Sequence, residues 1–443
     1  MRISVLTAEN VRNLRPLKLE PRERFNVFVG DNGQGKTNLL EVIYAVASLR
    51  SFRTSRLADM IAFASSSVPA GRASSESDED SEDELADEGG PNSPPQSDSG
   101  GSRDSGGSSR SHSGGGGGGG GGSGGSSQDA SAIAYALGLG AAVRGARIGA
   151  RVLKDDLTRV YEVTIGPTGR KVTLDGKAAR PLARYFGGFN VVVFTPEDLQ
   201  LPRGAPGDRR RFLDRAVFNA RPEYLAHVQD YEKVLKQRNA LLKMHAQQTM
   251  STARVEEMLS IYDEQLAHVG QTVANQRASL VEALQPEISQ AFAAITHGDR
   301  KATAHYVSKT AGASIDEIMS RHREGRMKDL ATSSTQFGPH RDDLAFALDG
   351  HDAGGFASQG QLRAIMLAWK TAELAVLTRT HGDQPILLLD DVSSELDPAR
   401  NAYLFEHLAA QAGQCFITTT HESHVLLHRE RANYRIENGQ ISS

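Results

Sequence analysis

The sequence predicts an α/β fold interrupted by a helical lobe and by a long insertion that does not fold. Three observations predict it. Near the start, the apolar run Val27-Phe28-Val29 leads into a glycine-rich loop and then into helix-spaced apolar residues from Leu39 to Leu49. Near the end, the all-apolar run Ile386 to Leu389 stops at two carboxylates, Asp390 and Asp391. Between them, 64–131 changes composition abruptly, and fold-like patterns resume after it.

Taken in order, 1–63 read as strand, loop, strand, Gly-rich loop and helix, the first part of the α/β head. From 64 to 131, Ser, Asp and Glu dominate first, then Ser and Gly, with nine consecutive glycines from Gly114 to Gly122. Such a stretch buries too little apolar surface to offset the entropy of ordering it, so the expectation is disorder. A tolerated loop expansion is the plain reading, since long surface loops cost little to close. An acidic decoy competing for basic surfaces is the functional one. Residues 132–200 form a β-rich part of the head. There Val160, Glu162 and Thr164 alternate, as do Val172 and Leu174; Asp175-Gly176 supplies a hairpin turn, and Val191 to Phe194 is a buried strand. Residues 201–335 form the helical lobe. One helix starts after Pro222, and the next carries Val255, Leu259, Tyr262, Leu266, Val269 and Val273 in a short coiled-coil-like seam, enough for a helical pair. Residues 336–443 return to the head: a strand with Leu344, Phe346 and Leu348, a helix from Gln361 to Arg379, the Ile386 strand, a helix to about Gln411, and a strand from Cys415 to Thr418. Trp369 and Cys415 fall in apolar patterns and read as core.

Composition excludes several classes. With a single cysteine, Cys415, neither an intramolecular disulfide nor a cysteine-based zinc site can form. No apolar run reaches the length of a membrane span, and the N-terminus enters a strand pattern without a signal peptide, so the expected setting is a reducing cytoplasm with no membrane contact. Net charge is -4, but Ser74 to Asp129 holds twelve acids against Arg103 and Arg110, so the remainder is net positive. Arg203, Arg209, Arg210, Arg211, Arg215, Lys233, Lys236, Arg238 and Lys243 suggest a basic face able to neutralise nucleic-acid phosphates. A solvated helix surface with interspersed acids is the bland alternative.

The chemistry rests on a few motifs. Gly30-Asp31-Asn32-Gly33-Gln34-Gly35-Lys36-Thr37 fits the phosphate-binding P-loop at every defined position, and it lies between strand and helix as the motif requires. Glycines let backbone N–H groups wrap a phosphate at the helix start. Lys36 would reach the β- and γ-phosphates of ATP, and the Thr37 hydroxyl would bind Mg²⁺. Asp390, delivered by an apolar strand, would hold the same ion. Asp391 would polarise the attacking water, the plain alternative being an exposed acid at a strand end.

Ser358-Gln359-Gly360-Gln361 opens a helix, and Ser358 is a good N-cap beside free N–H groups. Its order after the P-loop and before Asp390 resembles the ATP-binding-cassette (ABC) superfamily. There a Ser-x-Gly-Gln motif of one subunit closes over the γ-phosphate held by another. Ser393-Ser394-Glu395-Leu396-Asp397 resembles that superfamily's D-loop, and a helix cap before Pro398 is compatible with it. His421 ends the last strand where cassette ATPases often carry a γ-phosphate sensor; an ordinary polar residue is the alternative. The fold class is therefore a P-loop ABC-type ATPase head with an inserted helical second lobe and a disordered acidic and Gly-rich insertion.

Asn10-Val11-Arg12-Asn13-Leu14 and Asn32 to Glu41, with Asn38 directly after the P-loop, resemble the RecF family of bacterial recombination-repair proteins. So do Phe194 to Leu199, Arg209 to Asp214, Gln237-Arg238-Asn239, Gly338 to Asp343, Ser358 to Gln361 and Asp390-Asp391, in that order. The match spans the chain outside the insertion; Leu362 stands where the family usually has a second Gln. The resemblance implies an ATP-dependent homodimer that binds duplex DNA near single-strand gaps and junctions. It also implies slow, DNA-dependent hydrolysis, work with RecR and RecO to load recombinase, and a place in replication-fork maintenance. Two other classes share parts of the motif set. A transporter ATPase subunit is disfavoured by Asp391 in place of the superfamily's usual Glu. An ATPase-coupled nuclease needs an acidic metal domain, for which the short stretch after His421 leaves no room.

Overall fold

A computed structural model of the chain describes residues 1–54, 56–62, 145–248, 250–298, 300–427 and 429–443. The expected disordered insertion, 64–131, and the first residues of the β-rich part, 132–144, lie outside the described residues.

Two six-stranded sheets face each other across one helix. The first is antiparallel, in the order β2 (Leu17–Leu19), β1 (Arg2–Glu9), β4 (Ala146–Lys154), β5 (Leu157–Gly166), β6 (Gly169–Leu174), β7 (Lys177–Ala178). Its alternation puts Leu6, Ile148, Val152, Tyr161 and Val163 inward. Asp175 (φ 51°) and Gly176 (φ 75°) form the expected turn between β6 and β7, both in the left-handed region that a two-residue hairpin demands. The second sheet runs β15 (Gln440–Ser442), β14 (Arg431–Glu437), β3 (Phe25–Val29), β13 (Cys415–Thr419), β12 (Ile386–Asp390), β8 (Val191–Phe194), parallel throughout except for the edge strand β15. Helix α1 (Lys36–Ser48) lies between the sheets and is buried on nearly every face, which its largely apolar composition allows.

The other face of the parallel sheet carries the helices. These are α2 (Pro206–Ala220), α3 (Tyr224–Ala246), α4 (Thr252–Thr296), α5 (Ile315–Thr332), the single turn α6 (Ala353–Phe356), α7 (Gln359–His381), the turn α8 (Val392–Glu395) and α9 (Pro398–Gln411). The seam read from Val255 to Val273 is the first half of a 45-residue helix. Its apolar stripe continues through Leu284, Ile288 and Phe292 into the main core. The lobe read as helical also contains β9 (Ala302–Val307), which pairs with β10 (Asp343–Leu348); β11 (His351–Asp352) completes a three-stranded sheet across the expected boundary at 335–336. Trp369 and Cys415 are fully buried.

The nine residues are not one free basic face, because several of those cations are engaged within the fold. Arg238 is fully buried, bonded to Asp263 (2.9 Å), Asp329 (2.7 Å) and Thr335 (2.9 Å). Arg209 makes a two-pronged contact with Asp343 at 2.8 and 2.6 Å, Arg210 donates to the Asp342 carbonyl, and Arg215 pairs with buried Asp198 at 2.9 Å. Arg203 donates to the carbonyls of Gly354 and Ala357. Arg211, Lys233, Lys236 and Lys243 remain on the surface, and Arg203 is exposed as well.

These pairings explain why separated sequence blocks belong together. Gln237-Arg238-Asn239 meets the segment 335–343 through Asn239, which accepts from the Thr335 N–H and hydroxyl. His340 sits there with both ring nitrogens engaged, Nδ1 with the Tyr231 hydroxyl (2.6 Å) and Nε2 with the Thr335 carbonyl (2.9 Å). Burial lowers His340 and His322 to about 4 from the ordinary 6.5. A histidine depressed in the fold stabilises it above the unfolded value and loses that contribution as pH falls through the folded value. Stability is therefore expected to drop as pH falls from 6.5 to 4, each histidine contributing up to about 1.4 kcal/mol per pH unit. Asp342, which burial raises, partly offsets the loss. Urea titrations at pH 7.5 and 5 check this: His322→Leu should flatten the difference, and a parent equally stable at both values contradicts it.

Candidate nucleotide site

Four parallel strands deliver their carboxyl ends to one edge, where open α/β sheets bind ligands. Strand β3 feeds the loop Gly30–Gly35, β12 ends in Asp390, β13 in Thr418-Thr419, and β8 in the turn Thr195–Asp198. Glycine at 30 is dictated by packing: a Cβ there would lie 2.4 Å from the Ile436 carbonyl oxygen. Gly33 (φ 81°) and Gly35 (φ 109°) hold left-handed backbone, which turns successive N–H groups into the concavity at the start of α1.

Lys36 is buried at the centre, its Nζ donating to the carbonyls of Gly30 (2.5 Å) and Asp31 (3.1 Å). Burial pulls its ammonium below the ordinary lysine range, opposed by Asp391, Asp390 and Asp31. The Thr37 hydroxyl donates to Asp390 Oδ1 at 3.0 Å, joining residues 353 apart in the chain. Thr418 donates to the same oxygen at 2.8 Å. Burial raises Asp390, the two hydroxyls oppose it, and Glu197 and Asp391 push it further up. Asp391 holds left-handed backbone (φ 52°), its N–H bonded to the Thr418 carbonyl and hydroxyl, each at 3.1 Å. Its Oδ1 is buried with no hydrogen-bond partner.

Asp31, Asn32 and Gly33 are exposed on the outer curve of the loop. The loop is braced from behind by residues whose bracing contacts the sequence did not show; Asn38, expected to bind the nucleotide, is one of them. Asn13 donates to the Gly33 carbonyl (2.8 Å) and accepts from Asn38 (2.6 Å), and the backbone N–H of Asn438 donates to Gln34 Oε1 (2.5 Å). Glu41, fully buried, takes Arg12 at 2.6 and 2.8 Å and the Ser51 hydroxyl at 2.5 Å. That brace ties the turn 10–14 to α1. A glutamate within an otherwise apolar stretch of helix was the signal that could have found it.

Ser358, Gly360 and Gln361 are together but are not joined to the loop. Ser358 caps α7 in a reciprocal box, accepting from Gln361 N–H (3.3 Å) while Gln361 Oε1 accepts from Ser358 N–H (2.8 Å). Their neighbours are the Ser393–Asp397 segment and its flank. Arg363 donates to the Glu395 backbone and carboxylate, and Arg400, paired with Asp397, covers Gly360. His421 lies two residues past β13, exposed, with its N–H on Thr419 Oγ1 (3.3 Å). It is thus at the carboxyl edge, on the strand between those carrying the loop and Asp390.

No family model matches the chain. Curated relatives do. The chain is 33% identical over 429 residues to the DNA replication and repair protein RecF of Myxococcus xanthus, covering 95% of this chain and 91% of the relative. It is 33% identical to that of Citrifermentans bemidjiense and 30% to that of Geobacter sulfurreducens, with full coverage of both chains in each case. Among solved structures, the recombination mediator protein RecF with ATP, in the RecFOR pathway, superposes with a TM-score of 0.73 at 25% identity, over 99% of this chain and 96% of that one. A second structure of that protein, RecF-ATPrS, gives a TM-score of 0.74 at 26% identity over 100% and 97%. With this coverage and identity, and with the loop, the carboxylate strand and the Ser358 motif in place, the chain belongs to the RecF family of DNA replication and repair proteins.

Proposed function

We propose that the chain is an ATP-switched DNA-binding ATPase of recombinational repair, closing as a dimer on duplex DNA beside single-strand gaps. The observation that carries the nucleotide half of this reading is the 3.0 Å contact between Thr37 and Asp390 beside buried Lys36; the DNA half rests on the likeness to DNA replication and repair proteins. A hydroxyl, a carboxylate and a lysine converge on the concave mouth of a helix N-terminus, a donor set suited to a nucleoside triphosphate with Mg²⁺. Among the described residues no cluster of three acidic, histidine or cysteine side chains could hold a metal alone. That suits Mg²⁺, which binds through one or two protein groups and fills its octahedron with phosphate oxygens and water. When bound, the ion would neutralise charge on the β- and γ-phosphates.

The protein groups then divide the work. Lys36 exchanges the Gly30 and Asp31 carbonyls for phosphate oxygens. Thr37 and Asp390 would hold the ion, with Thr418 fixing the carboxylate. Asp391, with an unpartnered oxygen, accepts a proton from the attacking water. His421, at the same carboxyl edge, would sense the γ-phosphate. Slow hydrolysis fits a switch, with DNA binding gated by the triphosphate. The solved RecF structures, described as belonging to the RecFOR pathway, support RecO and RecR as partners. No helix of the described residues is long and apolar enough to cross a membrane.

Ser358 supplies the test. Its hydroxyl and the N–H groups of Gln359 and Gly360 at the helix start would form an anion site on a surface apart from the P-loop of the same chain, so a second copy would complete both sites through one isologous interface. ATP should therefore drive dimerisation and ADP should not. Ser358→Arg should bind ATP as a monomer and lose ATP-enhanced binding to duplex DNA. Light scattering and DNA titration with each nucleotide decide it. A parent equally dimeric in both nucleotides, or a dimeric Ser358→Arg, contradicts the proposal.

A further inference from the structure

The turn that leads into Ser358 presents an aromatic side chain to solvent. Phe356 is 79% exposed, matched among the described large apolar residues only by Met327. A single exposed apolar side chain is ordinary on a protein surface. What sets Phe356 apart is how firmly its turn is held in the outward position. Asp352 caps the turn, accepting from Gly355 N–H at 2.7 Å. Arg203 grips it from below, donating to the Gly354 carbonyl at 3.0 Å and the Ala357 carbonyl at 2.8 Å, one on each side of Phe356. Gly354 fits so closely over Pro202 that a Cβ would lie 2.7 Å from the Pro202 carbonyl oxygen. Ala357 is buried beneath. A flexible loop could fold its phenylalanine inward; this one is pinned on both sides. Its ring meets the edge of another surface group, His351, at 5.7 Å between centroids.

We infer that Phe356 is an apolar anchor for a second copy of this chain, packing beside that copy's phosphate loop when nucleotide is bound. This rests on the reading of Ser358 given above. Phe356 lies two positions before Ser358, at most about 7 Å of chain. If Ser358 reaches a phosphate held by the other copy, Phe356 comes within about that distance of it, and the outer curve of the loop there, Asp31, Asn32 and Gly33, is exposed to receive it. A capping serine alone gives only a weak, charge-based contact. A buried aromatic at the same edge adds the desolvated area that typically anchors an interface. The isologous arrangement uses the contact twice, so one substitution acts at two places. The Arg203 clamp holds the turn in position beforehand, so little backbone freedom remains to be lost on association.

The test uses full-length protein with ATP, a slowly hydrolysed ATP analogue, and ADP. At protein concentrations too low for either protein to dimerise, Phe356→Glu should bind the analogue as tightly as the parent, since Lys36, Thr37 and Asp390 are untouched; at higher concentrations it should show a dimer dissociation constant raised roughly tenfold or more in light scattering, as expected for loss of an interface anchor. Phe356→Trp should dimerise like the parent. Its emission should shift to the blue with the analogue and stay unshifted with ADP, against the constant signal of buried Trp369. Unchanged melting temperatures would exclude misfolding as the cause. If the parent dimerises with the analogue and Phe356→Glu does so at the same concentration, this inference falls and the reading of Ser358 stands. The same holds if the tryptophan emission does not move while the protein dimerises. A parent that stays monomeric with the analogue overturns both.

Discussion

ATP binding is expected to weaken by about a hundredfold or more in Lys36→Ala, the largest effect on affinity that any one substitution in this site should have. The ammonium is buried and bonded to the carbonyls of Gly30 and Asp31. Those two bonds hold the side chain along the loop, over the mouth of α1, where a phosphate would sit. A charge-assisted hydrogen bond contributes roughly 1.5–3 kcal/mol, and two made to phosphate oxygens together account for about a hundredfold. Removing the ammonium also leaves three acids, Asp31, Asp390 and Asp391, facing an incoming triphosphate without their nearest cation. The fold should tolerate the change, because α1 is held by its apolar faces against both sheets. Calorimetric titration with ATP checks the affinity and thermal melting checks the fold. Lys36→Ala binding ATP within a few-fold of the parent would exclude the loop as the phosphate cradle.

The local parts of this site were legible because they depend on sequence neighbours. A glycine-rich loop between an apolar strand and a helix, and a carboxylate at the end of a second such strand, are read from a few consecutive residues. The structure brings both to one sheet edge, with Thr37 and Asp390 in contact. The helix starting at Ser358 and the strands at Val191, Ile386 and Cys415 likewise lie where periodicity puts them. Pairings between distant residues were not legible. A run such as Arg209-Arg210-Arg211 looks basic and available, yet Asp343 and the Asp342 carbonyl, 134 and 132 residues away, take the first two. Composition counts charge, but only the fold says whether a charge is spent. Thr418 and Glu197 were missed as neighbours of Asp390 for the same reason: strand order in a parallel sheet decides which strand ends meet, and periodicity does not carry strand order.

Hydrolysis is expected to slow by roughly two to three orders of magnitude in Asp391→Asn while ATP binding persists, within the usual range for loss of a general base. Adjacent acids could share one role, but the geometry separates them. Asp390 Oδ1 already accepts two hydroxyls, from Thr37 and Thr418, which suits a metal-orienting carboxylate. Asp391 is turned by its left-handed backbone, held there by two bonds from its N–H to Thr418, and keeps a buried oxygen with no partner. A buried, unpartnered acceptor is costly, and such groups concentrate where a ligand or a reacting water completes the set. The amide that replaces the carboxylate keeps the shape and one oxygen but cannot take a proton, so chemistry should suffer and binding should not. The Asp390→Asn change should behave differently, weakening Mg²⁺-dependent binding as well as turnover. Single-turnover hydrolysis beside equilibrium ATP binding, measured for both variants across Mg²⁺ concentrations, separates the roles. Parent-rate hydrolysis in Asp391→Asn would mean that another group activates the water, and Glu197, close enough to Asp390 to raise it, would be the first to test.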